Sequence, residues 1–391
     1  MGALFLIVFI SLVGFGIVLP AFPFFGTMVG ASPAETTLAM AAYSLGQLVG
    51  APVWGKLSDR YGRKPILIWS LVGAIVSYVW MAHARDIVTL SAARLVGGLM
   101  AGNIAAAFAY VGDITTPETR PKAMGLVGAA FGLGFIFGPA IGGLLAGDHP
   151  EFSDFATIGY ASAGFAALAA VGALAFLPES LPPERRHRPV EDAPKITTRS
   201  VLAAKPAIWA LIIINLLAVT SAAMMETSIA FFTYDTLGWG PRQVGLSFAA
   251  VGLVSVVLQG GAAAPLAKRY GSRALMLIGL VLYGAGLAGL TVAGTTLTVL
   301  AALSVTACGL GLFNPAFQTI TSAQSGDEDR GLVNGLTQGA SSLGRVIGPA
   351  GSGAIYQSIG TTAPFAIGAI GLLLALGVAM ATKIQTGEAV G

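Results

Sequence analysis

The sequence predicts an all-α membrane protein of twelve transmembrane helices, arranged as two six-helix, pseudo-symmetric halves. Three observations carry that prediction. Apolar runs of about 20 residues, the length an α-helix needs to cross the hydrocarbon core, recur along the chain. Only 10% of the residues are charged, against about 25% in a soluble domain, so the chain cannot present an ordinary water-facing surface. Short motifs of the first half return 209 or 210 residues later: Arg60-Tyr61-Gly62 as Arg269-Tyr270-Gly271, Arg120 as Arg330, Gly125 as Gly335, Gly134 as Gly344, and Gly138-Pro139 as Gly348-Pro349. Several coincidences at nearly one offset mark a duplication.

The first half, residues 1–177, holds spans near 3–25, 36–57, 66–83, 88–111, 122–146 and 157–177. The first is read as a span and not as a signal peptide. It lacks a basic leader and a small-residue cleavage site, and it is long enough to cross. Residues 178–206, with the run P-E-S-L-P-P-E-R-R-H-R-P, read as a solvated linker. The second half, 207–382, holds spans near 207–233, 243–264, 274–293, 297–320, 331–355 and 362–382, and 383–391 is a short tail.

Lys and Arg set the orientation. With an even number of spans, both termini share a side. That side receives seventeen of the 21 basic residues; the other receives only Arg85 and Arg242, and Arg94 and Arg345 lie inside spans. Both termini are therefore expected in the cytoplasm.

Residues Gly55 to Pro65 read G-K-L-S-D-R-Y-G-R-K-P and join spans 2 and 3. A tight turn is expected, with Gly55 and Gly62 supplying backbone freedom. Lys56, Arg60, Arg63 and Lys64 anchor it on the basic side. Asp59 is an acid in a basic cluster, suited to cap a helix N-terminus or pair with an arginine. The second-half copy carries Lys268 in its place, so any latch built on Asp59 exists in one half only. A plain topology anchor is the alternative reading.

Glu226, in span 7, is the only acid in the middle of a span. A charged side chain there costs about 2.5–3.5 kcal/mol on insertion scales, and low dielectric favours the protonated carboxyl. Glu226 is thus a candidate to bind a proton in one state and a cationic or polar substrate in another; a residue that only tunes polarity is the alternative. Arg94, a third of the way into span 4, is expected to face a cavity and not lipid. It would tune a nearby acid or order water, or else bond a neighbouring backbone. Arg345, in span 11, has Phe135 as its first-half counterpart. It is a candidate to bind an anionic group or pair with an acid.

Gly134, Gly138 and Gly142 repeat every four residues in span 5 and so share one helix face, with Pro139 favouring a kink. Gly344, Gly348 and Ser352, with Pro349, repeat the pattern in span 11. A close contact between the halves is the expected use. Asn103, Phe108, Tyr110, Asn215, Met224, Met225, Phe231, Phe232, Gln259, Asn314 and Gln318 are candidates to line a substrate cavity, where Met and aromatics suit varied apolar ligands.

Parallel repeats of this kind are a secondary-transporter architecture, with the substrate between the halves near the midplane. No Walker loop, zinc-binding H-E-x-x-H or nucleophile elbow is present, so an enzyme is not expected. His83, His149 and His187 lie far apart and suggest no metal site. Cys308 stands alone and forms no internal disulfide. No cofactor or nucleic acid is expected, and an ion gradient must supply the energy.

The 55–65 connector, span 4 with L-S-A-A-R-L-V-G-G-L-M-A-G, span 5 with G-L-G-F-I-F-G-P-A-I-G-G, and Leu19-Pro20-Ala21-Phe22-Pro23 together resemble the major facilitator superfamily. The resemblance covers nearly the whole chain. It is strongest to the drug–proton antiporter branch, and within it to tetracycline-resistance-type exporters. It implies alternating access in a monomer of the bacterial inner membrane, with export of small amphipathic drugs driven by protons. It also implies a conformational latch at Gly55, Asp59, Arg60, Gly62, Arg63 and Asp113, and a role for Arg94 in proton transfer. Exporters of the tetracycline type carry acids within their first, third and ninth helices. Here Ser11 stands near the first position, and spans 3 and 9 contain no Asp or Glu. The implied substrate is therefore a drug, without tetracycline as the specific one. A transporter of a defined metabolite, such as a sugar or lysolipid, and a receptor on a transporter fold are the competing readings.

Overall fold

The computed structural model describes residues 1–116, 118–182, 184, 186, 205–325 and 329–382, with backbone alone for Asn103, Pro121 and Arg330. Most of the linker and the 383–391 tail therefore lie outside the described residues. Every described regular element is helical: α1 (Gly2–Val18), α2 (Phe22–Met28), α3 (Pro33–Tyr61), α4 (Arg63–Ala82), α5 (Ile87–Met100), α6 (Asn103–Ile114), α7 (Arg120–Ala146), α8 (Phe152–Phe176), α9 (Pro206–Leu237), α10 (Pro241–Val257), a π-helical turn (Leu258–Ala262), α11 (Ala263–Tyr270), α12 (Ser272–Leu290), α13 (Thr296–Gln324), α14 (Arg330–Ser358) and α15 (Ala363–Ala381).

These helices follow the twelve expected spans. Span 1 is α1 and α2, interrupted around Pro20; span 4 is α5 and α6, broken at Ala101-Gly102; span 8 is α10 and α11, joined through the π-helical turn. Ten stretches are long and apolar enough to cross a membrane by length and composition. The two others, α3 and α14, are equally long at 29 residues each. They are more polar because α3 runs on through Lys56, Asp59 and Arg60, and α14 carries Asn334, Gln338 and Arg345.

The chain forms two compact units, Met1–Glu191 with Gly238–Ala249, and Asp192–Leu237 with Ala250–Gly391. The division falls close to the halves expected from the repeat, except that the start of α10 groups with the first unit. Side chains cap the starts of α3 at Ser32, α5 at Asp86 and α13 at Thr295. At the start of α5, Asp86 accepts from the Thr89 hydroxyl and backbone N–H. These bonds hold its carboxyl below the usual range.

The 55–65 connector makes a tight turn, as expected, but at Gly62 alone. Helix α3 continues through Tyr61, and the whole reversal is made at Gly62, whose φ is +105°. Gly55 sits inside α3, where an added Cβ meets nothing within 4 Å, so no turn depends on it. One residue suffices because that backbone conformation is open to glycine and strained for others.

Candidate functional site

Arg63 organises the α3–α4 corner of the first unit. Its side chain is 9% exposed and meets three partners. Nε donates to Asp113 at 3.0 Å, and Nη1 donates to Ser58 Oγ at 2.7 Å and to Asp59. Buried charge is tolerated when paired and hydrogen-bonded in this way. Ser180 Oγ adds a bond to the same Asp113 oxygen at 2.9 Å. Glu179 accepts from the backbone N–H groups of Arg63 at 2.8 Å and Lys64 at 3.2 Å, where the N-terminus of α4 favours an anion. Arg60 lies exposed over the Tyr61 ring, 5.5 Å away. The structure thus brings Asp59, Arg63 and Asp113 together, with Gly62 as their turn. Sequence reading missed Glu179 and Ser180, which it placed in a solvated linker; an acid just after a span and beside a basic corner was the available signal. Replacing Arg63 by Ala is expected to lower stability by about 2 kcal/mol. That is less than for a fully buried pair, because Asp59 is 68% exposed. Chemical unfolding in detergent measures the loss.

Arg94, 5% exposed, lies among aromatic rings: its guanidinium carbon is 4.4 Å from the Tyr43 centroid, 5.1 Å from Phe22 and 6.0 Å from Phe15. Such contacts compensate a cation partly removed from water. Among the described residues no carboxylate lies within ion-pair distance of it, and its Nε is buried without a hydrogen-bond partner. Among the described residues, then, no acid stands beside Arg94 for it to tune, one of the uses expected of it.

Glu226 is exposed on the second unit, on α9, and Arg345 is exposed on the neighbouring α14. The two are within electrostatic reach of each other, and Tyr283 of α12 is near both. No direct Glu226–Arg345 ion pair forms. Arg345 and Glu226 thus belong to one unit without pairing directly.

The other cavity candidates divide. Gln318 and Asn314 are exposed; Asn103 has no described side chain. Asn215 is 7% exposed and donates to Thr337 O at 2.8 Å and Ser341 Oγ at 2.7 Å. It is a fastener between α9 and α14 and not a cavity residue. Met225, at 3%, and Phe231, at 8%, are core residues; Phe231 packs on Tyr356. Their polarity and shape read alike in sequence for lining or packing, and burial decides.

The glycine stripe is close-packed, but inside one unit. Gly134, Gly138 and Gly142 face Leu12, Gly16 and Ile17 of α1. Gly348 faces Ala223 and Thr220 of α9, and Pro349 beside it is buried. The packing that the stripe makes here is thus with the first helix of its own unit. On the next face of α7, still within the first unit, Gly143 and the Pro139 carbonyl meet Gly245 at the start of α10. Around it, Arg242 N–H donates to Gly147 O at 3.1 Å, and Gln243 donates to Asp148 at 2.8 Å. Small residues let two helix backbones approach closely, and α1 offers Gly16 to Gly138.

Comparison with known proteins decides what this arrangement belongs to. The family profile described as Major Facilitator Superfamily matches residues 4–263 and 216–387. The chain belongs to the Major Facilitator Superfamily. It is 32% identical over 353 residues to tetracycline resistance protein, class E, of Escherichia coli, covering 88% of this chain and 84% of that one. It is 30% identical to multidrug resistance protein 2 of Bacillus subtilis, covering 98% and 94%. The structure of the human organic anion transporter MFSD10 (TETRAN) superposes with a TM-score of 0.72 at 23% identity, covering 97% of this chain and 98% of that one. As a member of the superfamily this chain is a multi-pass membrane transporter and not an enzyme.

Proposed function

We propose that this transporter is a proton-coupled antiporter that exports small amphipathic drugs by alternating access, as a monomer in a bacterial inner membrane with both termini cytoplasmic. The observation that carries the reading is Glu226: a lone carboxylate in the middle of a span, exposed on its unit and without an ion pair to Arg345. Such a group can exchange a proton for a substrate. A permanently paired carboxylate cannot, because its charge is already committed. The relatives named for tetracycline and multidrug resistance support the substrate class.

In this reading Glu226 holds the proton and Arg345 sets how firmly. Arg94 supplies a fixed positive charge in the first unit and orders water there. The corner around Arg63, Asp59 and Asp113 stabilises one state of the cycle. The glycine contacts let helices slide as rigid bodies. Reconstitution in liposomes with a trapped pH-sensitive dye tests it. Addition of amphipathic drugs is expected to move protons against drug; response to sugars or lysolipids alone would assign a metabolite transporter instead.

A further inference from the structure

One face of the α3–α4 corner carries two features side by side. The first is a groove of about 450 Å³, lined by Leu57 and Tyr61 of α3 and by Pro65, Ile66 and Trp69 of α4. Its floor is apolar and closed, with Ile66 at 4% exposure; its walls are open, with Tyr61 at 51% and Trp69 at 64%. The second is a pair of exposed cations, Lys56 and Arg60, one helical turn apart. Each directly precedes a groove residue, Leu57 or Tyr61, so the charged row runs along the edge of the apolar one. The Arg60 guanidinium carbon lies 5.5 Å from the Tyr61 ring centroid, which puts its charge at the rim.

These two cations are uncommitted. Arg63 is taken by Asp59 and Asp113, and Lys64 donates to Leu174 O at 2.8 Å. Among the described residues Lys56 and Arg60 make no hydrogen bond and no ion pair. Their long stems let both charged heads reach one level at the end of the span. Exposed Tyr and Trp rings at a span end belong to the boundary between water and hydrocarbon.

The duplication supplies a comparison inside the molecule. At an offset of 209, Arg60-Tyr61 returns as Arg269-Tyr270, with Arg269 5.2 Å from its ring. Leu57 and Ile66 return as Leu266 and Leu275, whereas Lys56, Pro65 and Trp69 are replaced by Pro265, Ala274 and Ile278. The stacked pair thus belongs to both corners. The cation one turn before it and the large ring across the groove are additions at the first corner.

We propose that this groove is a selective site for one anionic phospholipid, its phosphate held by Lys56 and Arg60 and an acyl chain lying over Ile66 between Leu57 and Trp69. A phospholipid has its parts in the order that the corner presents: charge at the boundary, hydrocarbon below. Charge selects among lipids. A zwitterionic headgroup brings its own ammonium to a place that already holds two cations, and a headgroup of net negative charge does not. The site stands apart from the transported substrate and from the proton.

The test uses the full chain, purified in detergent and freed of lipid. Tryptophan fluorescence is followed as phosphatidylglycerol or phosphatidylethanolamine with brominated acyl chains is added. The part of the quenching that Trp69→Phe removes reports the groove. That part is expected at phosphatidylglycerol concentrations about 25-fold below those of phosphatidylethanolamine, since each Lys or Arg beside an anionic headgroup is worth about fivefold. Arg60→Gln and Lys56→Gln are each expected to weaken phosphatidylglycerol binding about fivefold, and the double variant to bring it to the phosphatidylethanolamine value. All three should keep the unfolding temperature, because both side chains are exposed. Arg269→Gln, at the other corner, is expected to leave the Trp69 signal unchanged. Equal quenching by the two lipids, no Trp69-dependent quenching by either, or a double variant that binds phosphatidylglycerol as before would overturn the site. A chain that dimerises on lipid removal with Trp69 shielded would also overturn it, and would give the groove to a second copy.

Discussion

Glu226→Gln is expected to abolish export driven by a pH gradient while leaving folding and insertion intact. Gln matches Glu in shape and keeps hydrogen-bonding capacity, so α9 packs as before. What it removes is the proton site. Exchange of substrate down its own gradient should persist, because it needs no proton site and the amide keeps the shape and polarity of the position. The decisive measurement is a pair of liposome assays on one preparation: uphill efflux on an imposed pH gradient, and counterflow without one. Loss of the first with survival of the second assigns coupling to Glu226. Gradient-driven export at the unsubstituted rate would remove Glu226 from the mechanism. The effect is all-or-none because no other acid lies in the middle of a span, so no neighbour can take over the proton.

The second large effect belongs to Gly138→Leu. A Cβ at Gly138 stands 2.7 Å from Gly16 Cα and 3.0 Å from Val13 O, and both obstacles are backbone that cannot rotate away. Accommodating a leucine requires α1 and α7 to separate along their shared face. The expected cost is about 3 kcal/mol or more, the upper end for overpacking, with falls in expression and unfolding temperature and loss of transport. Gly128→Leu, on the same helix where an added Cβ meets open space, is the control and should be tolerated. A stable Gly138→Leu protein would show that the α1–α7 contact is not needed for assembly.

Span positions, the duplication and the motifs were legible in the sequence because lipid imposes a one-dimensional rule. A helix of fixed length must be apolar throughout, with its charges at its ends. Arg94, Glu226 and Arg345 stood out by the same rule, as charges in the wrong place. Glu226 and Arg345 proved to be neighbours. Among the described residues Arg94 pairs with no acid, and Tyr43, Phe22 and Phe15 surround it instead. Asn215, Met225 and Phe231 were misread as lining because polarity and size do not say which side of a helix is packed. The direction of each side chain depends on the neighbouring helix, and a single sequence does not name that neighbour.

The glycine stripe shows the same division. Its spacing announced a close contact, and the contact exists, but with α1 and α9 inside each unit. Composition fixes how near two helices can come, and not which helix comes near.

By itself, then, the sequence determined the membrane fold, the two halves and the few charges that the membrane makes expensive, since each follows from local hydropathy and chain length. Only the tertiary structure decided that Arg63 gathers Asp59 and Asp113 while Glu179 caps the helix behind them, and that Glu226 and Arg345 share one unit. Those assignments depend on which helices pack together, and helix packing is settled by shape complementarity across the fold, a property no stretch of sequence carries alone.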